Sequence, residues 1–66
     1  MEMIRVDSSA IIAVGYDPER RLLKIRFAQG HIYDFCNVPR QVFDELMGAL
    51  SKGTYYNECI KDRYPC

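Results

Sequence analysis

The sequence predicts an α+β domain, a three-stranded antiparallel β-meander followed by two short helices that pack on one face of the sheet. Strand-type patterns fill the first half of the chain, helix-type patterns fill the second half, and turn residues separate the elements. The 66 residues suffice for one small domain, and 48% of them are apolar, as in ordinary globular proteins. We therefore interpret residues 1–66 as a single domain.

The predicted meander has three strands joined by two tight turns. The first strand is the nearly continuous apolar run at residues 10–16, and the second is the alternating segment at residues 22–27. Between them, Pro18 suits the second position of a type I turn. The third strand spans residues 31–36. The chain also begins with alternating side chains at residues 1–6, which a polar turn cluster then interrupts.

The hairpin between the second and third strands has two possible registers, and the burial of charge distinguishes them. A three-residue loop that ends in Gly30 places Lys24 opposite Asp34 on the outer face. A two-residue loop would bury the Asp34 carboxylate without a partner, which is costly. The three-residue loop directs Tyr33 and Phe35 into the core. The alternative, a stacking platform for bases, is less consistent with this register.

Two helices are predicted after the sheet. The first begins at residues 37–39, because proline suits the first helical position. Its apolar stripe is Val42, Phe43, Leu46, Met47 and Leu50. Gly48 would mark close packing of this helix against the sheet. The second helix opens at residues 51–53, and its core row is Tyr56, Ile60 and Tyr64.

The start of the second helix is the candidate ligand site. A helix start presents free backbone N–H groups and the positive end of the helix dipole, and a neighbouring lysine makes it suitable for an anion such as phosphate. Tyr55 is expected to be exposed, because Tyr56 faces the core and consecutive helical positions lie about 100° apart. The candidate ligand-binding residues are Ser51, Lys52, Gly53, Thr54, Tyr55 and Asn57. The alternative is that Ser51 and Asn57 only cap and connect adjoining helix ends.

Catalysis, metal binding and disulfides have little support in the sequence. Cys36, Cys59 and Cys66 are odd in number and form no C-x-x-C pair, and His31 is the single histidine. We expect reduced thiols, no metal and no other cofactor. No nucleophile with an adjacent base is recognisable, and the Asp44-Glu45 pair lies on a polar helix face. A non-enzymatic binding module is therefore predicted.

Charge and hydropathy restrict the surroundings in which the protein can act. Nine basic and nine acidic side chains balance, which disfavours strong nonspecific nucleic-acid binding but allows a local basic patch. No apolar run approaches the length of a membrane span, and residues 1–5 do not have the pattern of a signal peptide. We expect a cytoplasmic protein that does not contact a membrane.

Several short motifs follow one another in an order typical of one known family. They are Ser9-x-x-Ile12, Gly15-Tyr16-Asp17, Leu23-x-Ile25-x-Phe27, Gly30, Tyr33-x-Phe35, Val38-Pro39 and Ser51-x-Gly53-x-Tyr55-Tyr56-Asn57-x-x-Ile60. In these motifs the chain resembles the KTSC family from about Ile4 to Tyr64. That domain is named for the C-terminus of some lysyl-tRNA synthetases and also occurs as free-standing bacterial and phage proteins. The family carries a Tyr-x-Tyr pair, whose second tyrosine is Phe35 here.

Two functions follow as hypotheses. The leading one is a small module that binds a phosphate-bearing ligand, either RNA or a nucleotide-like small molecule, at the start of the second helix. The resemblance implies no established activity, although its synthetase context implies a role with RNA. The alternative is protein–protein interaction or self-assembly into a homo-oligomer, through an open sheet edge or the outer sheet face. Leu22 and Ile32 would supply apolar surface on that outer face.

Overall fold

The sheet has four antiparallel strands, and each strand pairs with its neighbour in the chain. The computed structural model, which describes residues 1–66, gives the strands as β1 Ile4–Arg5, β2 Ile11–Asp17, β3 Leu22–Phe27 and β4 Ile32–Phe35. The helices are α1 Arg40–Gly48 and α2 Lys52–Tyr55, and a π-helical turn, Tyr56–Ile60, continues α2. The predicted α+β class is confirmed. No helix combines the length and the apolarity that crossing a membrane requires.

The prediction of three strands is wrong, because β1 adds a fourth. Ile4 pairs with Val14, and Arg5 pairs with Ala13. A strand of two residues has no periodicity of its own, so the alternation at the start of the chain could not identify it. Its pairing covers an edge of β2 that would otherwise be open.

The predicted register of the β3–β4 hairpin is confirmed. Lys24 lies opposite Asp34 and Ile25 lies opposite Tyr33. The loop ends in Gly30, whose φ of 99° is a conformation that glycine adopts without steric cost. The Nζ atom of Lys24 lies 3.4 Å from a carboxylate oxygen of Asp34. This pair is accessible to water and contributes little to stability, so its main effect is to disfavour other registers.

The core lies between the inner face of the sheet and the helices. Its buried side chains are Ile11, Val14, Leu23, Ile25, Phe35, Val38, Leu46 and Ile60. Tyr16 connects the sheet to the segment before α1, since its hydroxyl donates to the carbonyl oxygen of Val38 at 2.6 Å. The ring of Tyr16 also stacks on Phe43, with centroids 5.1 Å apart. Together, these contacts fix α1 across the inner face of the sheet.

Three expectations about α1 are corrected. The helix ends at Gly48, and Ala49 is extended, so the helical spacing stops before Leu50 and leaves that side chain fully exposed. Gly48 does not mark close packing, because a Cβ atom built there would meet no heavy atom within 4 Å. Pro39 is the N-cap residue rather than the first helical residue, because its backbone is still extended.

Cys36 and Cys66 form a disulfide, so the expectation of three reduced thiols is wrong. Their Cα atoms lie 4.8 Å apart although 30 positions separate them in the sequence. The backbone N–H of Cys36 also donates to the carbonyl oxygen of Tyr64 at 3.1 Å, which holds the C-terminal segment beside the end of β4. Cys59 is free. Sequence spacing could not show that the fold brings these two thiols together.

Leu46→Ala should lower the free energy of unfolding by about 2–5 kcal/mol, because it removes a buried side chain and leaves a cavity. Leu50→Ala is the same chemical change at an exposed position and should alter that free energy by less than about 0.5 kcal/mol. Urea denaturation of both variants measures the difference. Equal losses would contradict the placement of Leu50 on the surface.

Candidate functional site

An open groove of about 430 Å³ lies where the β3–β4 loop approaches α2 and the π-helical turn. We call it the aromatic groove. Its lining residues are Ser9, Ala10, Phe27, Ala28, Gln29, Tyr33, Gly53, Tyr56, Asn57 and Lys61. A concave site of this size, with apolar walls and a few polar groups, is typical of small-ligand sites.

Three aromatic side chains form the groove wall. The rings of Phe27 and Tyr33 meet edge to face with centroids 5.7 Å apart, and those of Phe27 and Tyr56 do so at 4.9 Å. Tyr33 is nevertheless 52% exposed, so the expectation that it lies in the core is wrong. It lies on the inner face, as the register requires, but no helix covers it. Phe35, on the same face, is buried as expected.

The polar groups of the groove include one positive charge. Lys61 takes part in none of the three ion pairs in the structure, so its ammonium group is available to a ligand. The amides of Gln29 and Asn57 supply both donors and acceptors. The lining contains no carboxylate, histidine or thiol. The groove therefore suits a ligand that combines a flat ring, hydrogen-bonding edges and a negative group.

Gly53 allows α2 to approach the start of β2 closely. A Cβ atom at position 53 would lie 3.1 Å from the Cβ atom of Ala10, which is tighter than nine in ten natural contacts of this kind. Both residues line the aromatic groove. A larger residue at position 53 would therefore crowd Ala10 at this end of the groove.

The predicted ligand-binding residues divide into two groups, and only Gly53 and Asn57 line the aromatic groove. Ser51 is the N-cap residue of α2, where its Oγ accepts the backbone N–H of Thr54 at 3.3 Å. The Ser51 hydroxyl also donates to the Thr54 hydroxyl oxygen at 2.9 Å. The capping role that the sequence left open is therefore present for Ser51, whereas ligand binding at these positions stays a prediction.

Lys52 and Tyr55 connect α2 to α1. The Nζ atom of Lys52 donates to the carbonyl oxygen of Ala49 at 3.2 Å, and the Tyr55 hydroxyl donates to Glu45 Oε1 at 2.7 Å. Tyr55 is half-buried against the core, so the expectation of an exposed ring is wrong. Tyr55 contacts α1 while Tyr56 contacts the sheet, which explains how two consecutive tyrosines are both partly buried.

Hydrogen bonding and burial shift three pKa values in this region. The Tyr55 hydroxyl, and after it the Gln41 amide, donate to the Glu45 carboxylate and lower its pKa from the ordinary value of 4.5. Burial, and then the hydrogen bond to Glu45, raise the pKa of the Tyr55 phenol above 10.0. Burial also raises the pKa of Tyr56, with a smaller contribution from the charge of Asp62. Both tyrosines are therefore neutral, and Glu45 is ionised, at pH 7.

Sequence reasoning assigned three of the groove residues, Phe27, Tyr33 and Tyr56, to the core and did not single out Lys61 as a ligand contact. Alternation places the aromatic side chains on the inner face, but it does not show where the helical layer ends. No signal in the sequence indicated this, because the predicted core row of Tyr56, Ile60 and Tyr64 implies a second helix that continues past Ile60, where the observed π-helical turn ends. No group of three or more histidine, cysteine, aspartate or glutamate side chains is arranged to hold a metal ion.

The chain matches the sequence profile of the KTSC domain over residues 7–64. It belongs to the KTSC domain family. A KTSC domain protein from Yersinia pestis has a similar crystal structure, with a TM-score of 0.95 and 35% identity, and the match covers 98% of this chain and 92% of that one. The predicted resemblance is therefore confirmed.

Two further relatives of this KTSC domain differ in their context. A protein from Tsukamurella paurometabola is 46% identical over 59 residues, which cover 89% of this chain and 88% of that protein. A lysine–tRNA ligase from Nostoc sp. is 36% identical over 62 residues, which cover 94% of this chain but 11% of the ligase. Similar sequences thus occur in a protein of about this length and as a small part of a much longer one.

Tyr55→Phe should raise the pKa of Glu45 toward 4.5, because it removes the largest cause of the lowering. A carboxyl whose pKa is lowered by folding adds stability above its unfolded pKa, and this is lost as the pH falls through the folded pKa. The contact therefore stabilises the domain at neutral pH, and this stabilisation begins to fall near pH 4.5 and is lost as the pH falls through the lower pKa of the folded protein.

An NMR titration of the Glu45 side-chain carbonyl measures this pKa, and urea denaturation at about pH 7 and about pH 3 measures the stability. The variant should lose less stability between the two pH values than the parent protein. Tyr64→Phe is the matched control, since Tyr64 makes no hydrogen bond to Glu45. An unchanged Glu45 pKa in Tyr55→Phe would show that the tyrosine hydroxyl is not the cause.

Proposed function

We propose that this KTSC domain binds a nucleotide unit in the aromatic groove, with the base stacked on Tyr33 and the phosphate beside Lys61. The observation that carries the proposal is the state of Tyr33, which is 52% exposed in the groove wall while its ring contacts Phe27. A ring that is held in place and remains accessible is the kind of surface on which unpaired bases stack.

The charges near the groove favour a short ligand. The chain has a net charge of +0, and Lys61 is the one charged residue in the groove lining. A long duplex would need many phosphate contacts, whereas one or two nucleotides need few. The groove volume of about 430 Å³ also lies within the usual range for small-ligand sites, roughly 300–1,000 Å³.

The polar residues of the groove suit the edge of a base. Asn57 and Gln29 carry amides that can donate and accept at once, which matches the paired donors and acceptors of nucleobase edges. The absence of a carboxylate, a histidine and a thiol from the lining supports binding rather than catalysis. The proposal therefore retains a non-enzymatic module and locates the ligand beside Gly53 and Asn57.

The relatives support a ligand of the RNA type. A segment similar to this chain makes up 11% of a lysine–tRNA ligase from Nostoc sp., an enzyme whose name specifies a tRNA substrate. In the relative from Tsukamurella paurometabola, by contrast, the segment similar to this chain makes up 88% of the protein. The ligand test therefore includes single-stranded RNA and free mononucleotides as separate arms.

Tyr33→Ala should weaken nucleotide binding about 5- to 150-fold, because stacking of one base contributes roughly 1–3 kcal/mol. Tyr33→Phe should retain most of the affinity, since the ring is kept. Fluorescence anisotropy with a labelled single-stranded RNA and calorimetry with the four mononucleotides measure the effect. RNA binding should also weaken with salt, with a slope of about −0.7 per phosphate contacted.

Ile32→Ala is the matched control for this experiment, because Ile32 neighbours Tyr33 on β4 and is 53% exposed but points to the outer face. It should leave the affinity unchanged. Circular dichroism melts verify that each variant is folded. Equal affinity of Tyr33→Ala and the parent protein, or the absence of saturable binding in both arms, would refute the proposal.

A further inference from the structure

A second groove, of about 200 Å³, adjoins the aromatic groove and differs from it in charge. We propose that this second groove binds an alkylammonium group. We call it the acidic groove. Its lining includes Tyr33, Tyr56, Tyr64, Asp62 and Pro65. Tyr33 and Tyr56 are shared by the two grooves and form the ridge between them.

The walls of the acidic groove are aromatic. Tyr33, Tyr56 and Tyr64 all line it, and the ring of Tyr56 is held edge to face against Phe35 with centroids 5.8 Å apart. The faces of aromatic rings carry partial negative charge and attract a cation that lies within about 6 Å of the ring centroid. Sites that bind alkylammonium groups combine several such rings around the cation.

The charged lining of this groove is entirely acidic. Asp62 supplies a carboxylate, and no lysine, arginine or histidine lines the groove. Asp34 also borders the groove, but its carboxylate lies on the outer face of the sheet, 3.4 Å from Lys24, and takes no part in the proposed site. Asp62 takes part in none of the three ion pairs and is free to bind one. This charge is complementary to a cation and unfavourable for a phosphate.

One wall of the acidic groove depends on the disulfide. Tyr64 and Pro65 precede Cys66, which is bonded to Cys36 at the end of β4. The backbone hydrogen bond from Cys36 to Tyr64 adds a second attachment at 3.1 Å. A dithiol reductant would convert this disulfide to two thiols while its own two thiols form a disulfide. The wall would then keep only the hydrogen bond, so the groove is expected to need the oxidised protein.

Binding of an alkylammonium group does not depend on the proposed nucleotide site, because each groove has its own charged residue. Lys61 lines only the aromatic groove, and Asp62 lines only the acidic groove. Variants at these two positions therefore test the two sites one at a time.

The test is an NMR titration of the ¹⁵N-labelled protein with butylammonium and with butan-1-ol, a neutral molecule that has the same alkyl chain. Butylammonium should shift the amide signals of Asp62 and Tyr64 saturably, and butan-1-ol should not. Asp62→Asn should weaken butylammonium binding roughly two- to five-fold, the usual contribution of an exposed ion pair. Asparagine suits this position because φ is 63° there, a left-handed conformation that it tolerates.

Glu58→Gln is the matched control, since it makes the same change of charge on the π-helical turn outside the groove. It should leave butylammonium binding unchanged. Lys61→Gln should weaken mononucleotide binding and leave butylammonium binding intact. Reduction by dithiothreitol, or Cys66→Ser, should weaken butylammonium binding. Reduction should weaken this binding equally in Cys59→Ser and in the parent protein, because Cys59 is not part of the disulfide.

Titrations with spermidine and with N-acetyl-lysine methylamide distinguish two natural sources of the alkylammonium group. Tighter binding of spermidine assigns the groove to a free polyamine, and tighter binding of the lysine derivative assigns it to a lysine side chain of a partner protein. Equal shifts with butan-1-ol, or unchanged affinity in Asp62→Asn, would overturn the proposal. Either result would leave the test of Tyr33 and mononucleotides unaffected.

Discussion

The helical layer is too short to cover the inner face of the sheet, and the other features of this KTSC domain depend on that mismatch. α1 has nine residues and α2 has four, so each extends at most about 14 Å at 1.5 Å per residue. They bury Leu23, Ile25 and Phe35 completely or nearly so, and their coverage ends before Tyr33. The two grooves lie along this uncovered margin.

The π-helical turn determines how the margin is divided. Ile60 is fully buried and anchors the turn on the sheet, while Tyr56 contacts Phe27 on one side and Phe35 on the other. This position makes Tyr56 part of a ridge rather than part of a closed core. One groove is lined by Lys61 and by no acid, and the other is lined by Asp62 and by no base. A short chain with no net charge thus presents two grooves of opposite charge.

The parts of the fold that local chemistry decides could be predicted from the sequence. The β3–β4 register followed from Gly30 and from the cost of burying Asp34, and both are local features. The β1 strand and the Cys36–Cys66 disulfide depend on contacts between distant segments, and no local pattern encodes them. Periodicity identified the face on which Tyr33 lies, but it could not show how far the helices reach over it.

The predicted ligand-binding residues lie in one segment, which the structure divides into two groups, and ligand binding itself stays a prediction. Gly53 and Asn57 line the aromatic groove, but Tyr55 faces α1 because Glu45 accepts its hydroxyl proton in a hydrogen bond. A helical wheel for one isolated helix cannot include such a partner on a neighbouring helix. Self-assembly through the sheet stays a prediction. Both edge strands are short, with two residues in β1 and four in β4, so the outer face is better suited to it than the edges.

The most direct measurement of the central claim is a map of amide chemical-shift changes on titration with a mononucleotide. The account predicts saturable shifts that concentrate on Phe27, Tyr33 and Asn57, the residues around the uncovered margin of the sheet. Saturable shifts confined to Ser51 and Thr54 would show that the ligand binds at the start of α2 and not in the aromatic groove. Shifts confined to the outer face, around Arg26, or no saturable shifts at all, would contradict the account.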